Sequence, residues 1–350
     1  MIFMVTKKLF GTLADGRDTD IYELENKNGI RAGVITYGAT WQFLLAPDRD
    51  GIFRDILIGF DDIKGHVERS DYQGMTVGRY ANRICGGHFS LNGRDFDVTK
   101  NENGVTCLHG GGEFSHAVWD ARIISDSSVS FSYTSPEGSN GFPGEMRAEV
   151  TYSLSDDNEL SIEYRASCTE ASPINMTNHA YFNLGGYDRP DVLSQELFIR
   201  ASHYTPIDTA SIPTGELRDV EGTAFDFREM KAIGRDITDS DEQLVQCRNG
   251  YDHNFCLDNI SGEPSAAAYD PQSGRYMEMF TDLPGVQLYT GNFLENVPGK
   301  GGTKMGKHAG FCLETQFYPD SPNRPEFPCC VFAAGEEFKS RTSFRFSVKK

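Results

Sequence analysis

The chain has 350 residues, 38% of them apolar and 24% charged, and its formal net charge is −18. That length can bury a substantial core, and the balance excludes a fibrous or disordered protein. The field of 51 acidic against 33 basic residues would repel a nucleic-acid backbone and an anionic membrane surface, so neither is expected as a partner.

Met1–Phe10 places Lys7 and Lys8 after a few apolar residues. A signal peptide carries its charges first, and no later apolar run approaches the length of a membrane span. The eight cysteines lack Cys-x-x-Cys spacing, and only Cys329 and Cys330 are adjacent. Buried free thiols in a reducing compartment fit this better than a disulfide framework, a zinc cluster or a redox motif. A soluble, cytoplasmic protein is expected.

Along the chain, period-two alternation dominates. Val129, Phe131 and Tyr133 begin it, and Met146, Ala148, Val150, Tyr152 and Leu154 continue it with polar residues between. Asp156-Asp157-Asn158 supplies turn chemistry, after which Leu160, Ile162, Tyr164, Ala166 and Cys168 alternate again. Two half-buried strands joined by a tight turn are predicted there. Leu197 and Ile199 repeat the pattern, as do Phe344, Phe346 and Val348 near the end. The best helical signal is Thr238–Gly250, where Ser240 and Gln243 have capping-box spacing and Asn249-Gly250 can stop the helix.

Strands with one polar face suit antiparallel sheets. The 36 glycines and 15 prolines fall mostly between these runs, and no linker, charge block or internal repeat divides the chain. The expected fold is all-β: one large antiparallel β-sandwich domain over residues 1–350, with few short helices and a C-terminal strand that completes a sheet.

Six polar groups interrupt these patterns and are candidates for chemistry. In Gly78–Ile84, Asn82 offers both amide donors and an acceptor, and Arg83 presents a planar donor fork; hydroxyl recognition uses both, although such a pair also decorates surfaces. In Cys107–Gly112, a strand end would turn Leu108 inward and place Cys107 and His109 on the other face, with three glycines allowing close backbone approach. No Lys-Ser/Thr follows, so phosphate cradling is not supported. His109 and His116 lack a third ligand at recognisable spacing, so no metal is expected.

His179, within Asn175–Leu184, has amide and aromatic neighbours and suits a general acid, or a structural histidine. Gly250–Phe255 supplies Asp252 after a turn. Pro284–Tyr289 puts Val286 and Leu288 on one face, with Gln287 and Tyr289 on the other. Phe311–Gln316 buries Phe311 and Leu313 and turns Glu314 the opposite way, either as surface alternation or as a working base.

At these residues the sequence resembles the galactose mutarotase (aldose 1-epimerase) family. The resemblance runs over nearly the whole chain, through Gly78–Ile84, Leu108–Gly111, Thr177–Gly185, Tyr204–Thr214, Gly222–Asp226, Tyr251–Asn254, Gly285–Asn292 and Leu313–Asp320. It implies a β-sandwich with an open cleft, a monosaccharide bound there, and no cofactor. It further implies that His179 is the general acid and Glu314 the general base. Asn82, Arg83, His109, Tyr181, Asp252 and Gln287 would bind the sugar. Tyr80 and Tyr318 stand where the family varies and are expected to tune substrate preference.

The chemistry agrees with those roles. Mutarotation removes the anomeric hydroxyl proton and protonates the ring oxygen, so the C1–O5 bond opens to an aldehyde that recloses on its other face. One carboxylate and one histidine suffice, each worth about 10²- to 10⁴-fold. A glycoside hydrolase using Asp252 and Glu314 would leave both histidines idle. A phosphosugar epimerase would need further cations, for which the motifs offer little beyond Arg79. A non-catalytic sugar-binding protein would not need both Glu314 and His179. The preferred aldose, and whether the protein is a monomer or a homodimer, are not legible.

Overall fold

Residues 5–69 and 71–350 are described by the computed structural model. The reading of Met1–Phe10 as lacking a targeting signal therefore lies partly outside the described residues, at Met1–Met4.

The predicted hairpin is present: Met146–Leu154 and Glu159–Cys168 pair antiparallel from Met146↔Cys168 to Leu154↔Leu160. Its apolar alternating side chains are buried on one face, and on the other only Ser161 is buried. The hairpin lies inside a nine-stranded sheet. In spatial order its strands are 120–125, 128–135, 146–154, 159–168, 337–348, 275–281, 266–269, 196–199 and 231–232, with antiparallel neighbours. The C-terminal strand Glu337–Val348 thus sits in the middle of the sheet, hydrogen-bonded on both sides.

A second sheet is a five-stranded meander from Thr6–Thr12 to Phe53–Asp55. It packs on the first through aromatic contacts. Tyr22 meets Phe131 edge-on at 5.8 Å, and Trp41 meets Phe344 at 5.6 Å; Phe182, outside both sheets, also meets Trp41 at 5.7 Å. These rings belong to one buried apolar cluster that runs from Val5 to Phe346.

The third sheet carries the functional face. Its strands are β1 (Ala201–Thr205), β2 (Arg218–Asp219), β3 (Asp252–Leu257), β4 (Gly285–Tyr289) and β5 (Cys312–Gln316), in the order β2-β1-β3-β4-β5. Phe255, Val286, Leu288 and Leu313 turn toward the shared core. A hydroxyl contact of 2.6 Å between Thr315 and Thr342 ties this sheet to the C-terminal strand.

Among the described residues the α-helices are three short ones, Ile63–Glu68, Glu113–His116 and Glu242–Gln246. The last is the expected helix, shortened and capped one residue later than predicted. The Asp241 carboxylate accepts from the Gln243 amide at 2.8 Å. The Gln243 side chain cannot close a capping box because it points inward: its Oε1 accepts from Ile207 N at 2.7 Å and meets His253 Nε2 at 3.2 Å. No helix among the described residues is long and apolar enough to cross a membrane, and all eight cysteines are free.

His253 lies on the core side of β3, edge-on to the stacked rings of Tyr204 and Phe225. Burial holds its imidazole at about 3, whereas an unfolded histidine titrates near 6.5. The depressed value means that stability present above pH 6.5 is lost as pH falls toward 3, because the unfolded chain takes up a proton that the folded one refuses. At pH 5 this single group costs about 2 kcal/mol. His253→Phe should therefore shrink the stability difference between pH 7 and pH 5 by about that amount, read from urea midpoints. An unchanged difference would show that His253 titrates normally.

Candidate active site

Antiparallel register stacks three rows of side chains on the open face of β3, β4 and β5. Asp252, Tyr289 and Cys312 form one row, and Asn254, Gln287 and Glu314 the next; Cys256, Gly285 and Gln316 form the third. Residues two apart on a strand share a face, and from these rows Asp252, Tyr289 and Glu314 line a cleft of about 420 Å³. Gly285 is required in the third row: a Cβ there would sit 2.5 Å from Asn254 Oδ1 and 3.0 Å from the Tyr318 ring.

Loops bring in the remaining groups. Thr177–Asn178 pairs with Thr76–Val77, and the His179 backbone is then held by Met75 O and Gly74 N, both at 2.9 Å. Asn82 and His109 face each other through backbone: His109 N donates to Asn82 O at 3.0 Å, and Asn82 N donates to His109 Nδ1 at 3.2 Å. Asn82, Arg83, His109, His179, Tyr181, Asp252 and Glu314 line the cleft together. Gln287 does not line the cleft; it is buried beside it, and its Nε2 donates to Asp252 Oδ1 at 2.8 Å.

The pattern expected at Cys107–His109 is reversed. Cys107 pairs with Ile84 and is buried in an apolar cluster, while Leu108 pairs with Arg83 and lines the cleft. Alternation fails at the next residue because His109 adopts φ +53°, a left-handed conformation. The glycines that follow approach protein, not ligand: a Cβ on Gly110 would lie 2.4 Å from Gly78 O. His116 is exposed beside Tyr37 and does not line the cleft. Tyr80 and Tyr318 do not line it either. Tyr80 is fully buried, with its hydroxyl donating to Tyr318 O at 2.9 Å and accepting from Ser321 N.

Three residues that sequence reasoning missed complete the arrangement. Glu102 grips Arg83 through two bonds of 2.8 and 2.9 Å, leaving Arg83 Nη1 4.0 Å from Asp252. Gln316 joins Asn82, Asn254 and Gln287 into one amide network that ends at Asp252. Tyr72 packs 4.7 Å from His109 and stacks 6.0 Å from His179, whose other face stacks on Tyr181 at 5.0 Å. Glu102 lies in the polar turn Asn101–Gly104, which carries no local signal of function; it finds Arg83 only through the fold.

Two buried titratable groups stand at the centre. Glu314 Oε2 is 3.5 Å from His179 Nε2, is buried, and has no hydrogen-bond partner. Burial, reinforced by the Asp252 charge and opposed by Arg83, pushes the Glu314 carboxyl well above its usual range. Burial pushes the His179 imidazole down to about 4, with its own carbonyl pulling the other way. His109 is pushed well below its ordinary value, by burial and then by His179 and Arg83. Asp252 is raised by burial against the pull of Arg83.

His109, His179 and Glu314 each bring one ligand atom within 4.8 Å of the others, a set of two histidines and a carboxylate that suits some divalent metals. The Asn82 N–H aimed at His109 Nδ1 works against ligation. It keeps the proton on Nε2, which a metal-bound nitrogen cannot carry. The same N–H suits a sugar oxygen.

The profile of the family described as aldose 1-epimerase matches residues 20–345. The chain belongs to this family. It is 41% identical to the galactose mutarotases of Bos taurus and Homo sapiens, over 98% of this chain and 99% of each relative. It is 37% identical to the aldose 1-epimerase of Escherichia coli K12, over 95% of this chain and 96% of the relative. A solved aldose epimerase homologue from C. elegans superposes with a TM-score of 0.88 at 29% identity, covering 95% of this chain and 100% of the other. A galactose 1-epimerase from Lactobacillus acidophilus gives 0.87 at 27% identity, covering 99% and 100%. Members of the aldose 1-epimerase family are isomerases, and the β-sandwich architecture expected from alternation is the one these structures share.

Proposed function

We propose that the chain interconverts the α and β anomers of a free hexose, galactose first among them, with Glu314 as base and His179 as acid. The observation that carries this reading is the buried, unpartnered Glu314 Oε2 facing His179 Nε2 across 3.5 Å at the floor of the cleft. Glu314 takes the proton of the anomeric hydroxyl while His179 protonates the ring oxygen, and the ring opens. Rotation about C1–C2 exposes the other carbonyl face. Reclosure returns both protons by the same two groups, so the cycle balances without a cofactor. Arg83, Asp252, Asn82, His109 and Tyr181 hold the hydroxyls, with Gln287 acting through Asp252, and galactose is favoured because relatives of 41% identity are galactose mutarotases.

The unbroken apolar cluster from Val5 to Phe346 supports one domain over residues 1–350, and eight free thiols support a cytoplasmic setting. A phosphosugar substrate is disfavoured by cation placement. Arg79 is fully buried, with its guanidinium spent on Ser135 and on the carbonyls of Pro136, Pro143 and Gly144. Among the described residues Arg83 is then the one cation lining the cleft, and Glu102 already holds it. Polarimetry with fresh α-D-galactose, α-D-glucose and glucose 6-phosphate tests both points. The two free sugars should relax faster with protein than without, and the phosphate ester should not. Acceleration confined to the ester would reverse the choice.

A further inference from the structure

We infer that Cys312 is a positioning residue for the reaction: its thiol holds the His179 ring at Nδ1 so that Nε2 faces Glu314 and the ring oxygen of the sugar. The inference rests on the proposed roles of His179 and Glu314. Cys312 opens β5, is completely buried, and lies two residues before Glu314 on the same face. Its Sγ is 3.5 Å from His179 Nδ1, while Nε2 of the same ring is 3.5 Å from Glu314 Oε2. One short strand thus sets both ends of the imidazole, and the Tyr181 and Tyr72 rings hold its faces.

Nδ1 of such an acid requires a neutral acceptor. As His179 gives up and recovers the proton on Nε2, Nδ1 keeps its own and needs an acceptor at every stage. A thiol is a weak donor and a weak acceptor, so it can stay in contact at every stage. A carboxylate at this position would stabilise the imidazolium and make it a poorer acid. Burial, and then the neighbouring Glu314 and Asp252 charges, push the Cys312 thiol well above its usual range, so it remains neutral. The contact therefore orients the ring without adding charge that would weaken the acid.

The test compares Cys312→Ala and Cys312→Ser in steady-state polarimetry with α-D-galactose, alongside ¹⁵N spectra of the histidine rings. Removing the outer partner of a metal-ligating histidine costs about 10- to 100-fold, and a histidine that moves protons depends on its orientation in the same way. We expect Cys312→Ala to lose about tenfold or more in kcat, with KM within about twofold, and to shift the His179 ring-nitrogen resonances. Serine, which also donates and accepts, should recover much of the rate. Wild-type kcat in Cys312→Ala, equal losses in the Ala and Ser variants, or unmoved ring resonances would each overturn the inference. Failure of the underlying acid–base reading would look different: His179→Asn would then turn over at the wild-type rate.

Discussion

Glu314→Gln is expected to lower turnover by at least about 100-fold while sugar affinity stays within a few-fold, the usual consequence of removing a positioned base. The amide has the shape of the carboxyl and cannot accept a proton at neutral pH. The fold should not suffer. Glu314 is almost completely buried, and burial already favours its uncharged form, so a neutral amide removes the cost of ionising a carboxyl there. Melting temperature should accordingly be equal to or above that of the parent protein. Polarimetric rates within about tenfold of the parent would remove Glu314 from the base role, and a variant that lost affinity in proportion to rate would make it a binding group.

Much of this site was legible because period-two alternation survives wherever strands are regular. Gln287 and Tyr289 share the cleft face of β4 as their spacing predicts, and Glu314 stands opposite Gln287 in the register. The hairpin Met146–Cys168 pairs from one end to the other. Alternation failed where the backbone left the extended region. His109 at φ +53° falls on the same side as Leu108, which strict alternation would have separated from it. The meander Thr6–Asp55 was not read as strands. The thiol of Cys312 lay in a motif that was noticed for its carboxylate, and its partner is 133 positions away in sequence. Gln316 and Asn82 are 234 positions apart. Spacing along a strand reports which face a side chain takes; it is silent on what the fold brings to that face. The helix cap shows the same limit, since Gln243 abandons the capping box for partners supplied by Ile207 and His253.

The rate should have its acid limb near pH 4 and stay flat through pH 6.5 until the raised Glu314 carboxyl ionises, in place of the narrow bell that ordinary side-chain values would produce. An unperturbed carboxyl and imidazole, near 4.3 and 6.5, would confine the ionised-base, protonated-acid pair to the interval between them, and the rate would fall above pH 6.5. In this cleft burial moves the two groups in opposite directions, His179 down to about 4 and Glu314 well up. Over the interval between the shifted values the pair holds one proton, and in the free protein that proton rests on Glu314. The working arrangement, carboxylate and imidazolium, is a tautomer of that same one-proton state. Its share does not change with pH while the proton count is constant. Below about pH 4 His179 takes a second proton, Glu314 can no longer act as base, and the rate falls. Above the raised value of Glu314 the pair loses its last proton, His179 has none to give, and the rate falls again. The limbs belong to the pair and to the groups that face it, chiefly Asp252, Arg83 and His109. His179→Asn should remove most of kcat across the whole range, whereas His109→Asn should act mainly on KM. The decisive measurement is kcat/KM from pH 4 to pH 9 with the spontaneous rate subtracted. A tenfold fall per unit beginning at pH 6.5 would mean that the imidazole titrates as in solution and that the one-proton pair is not the working species.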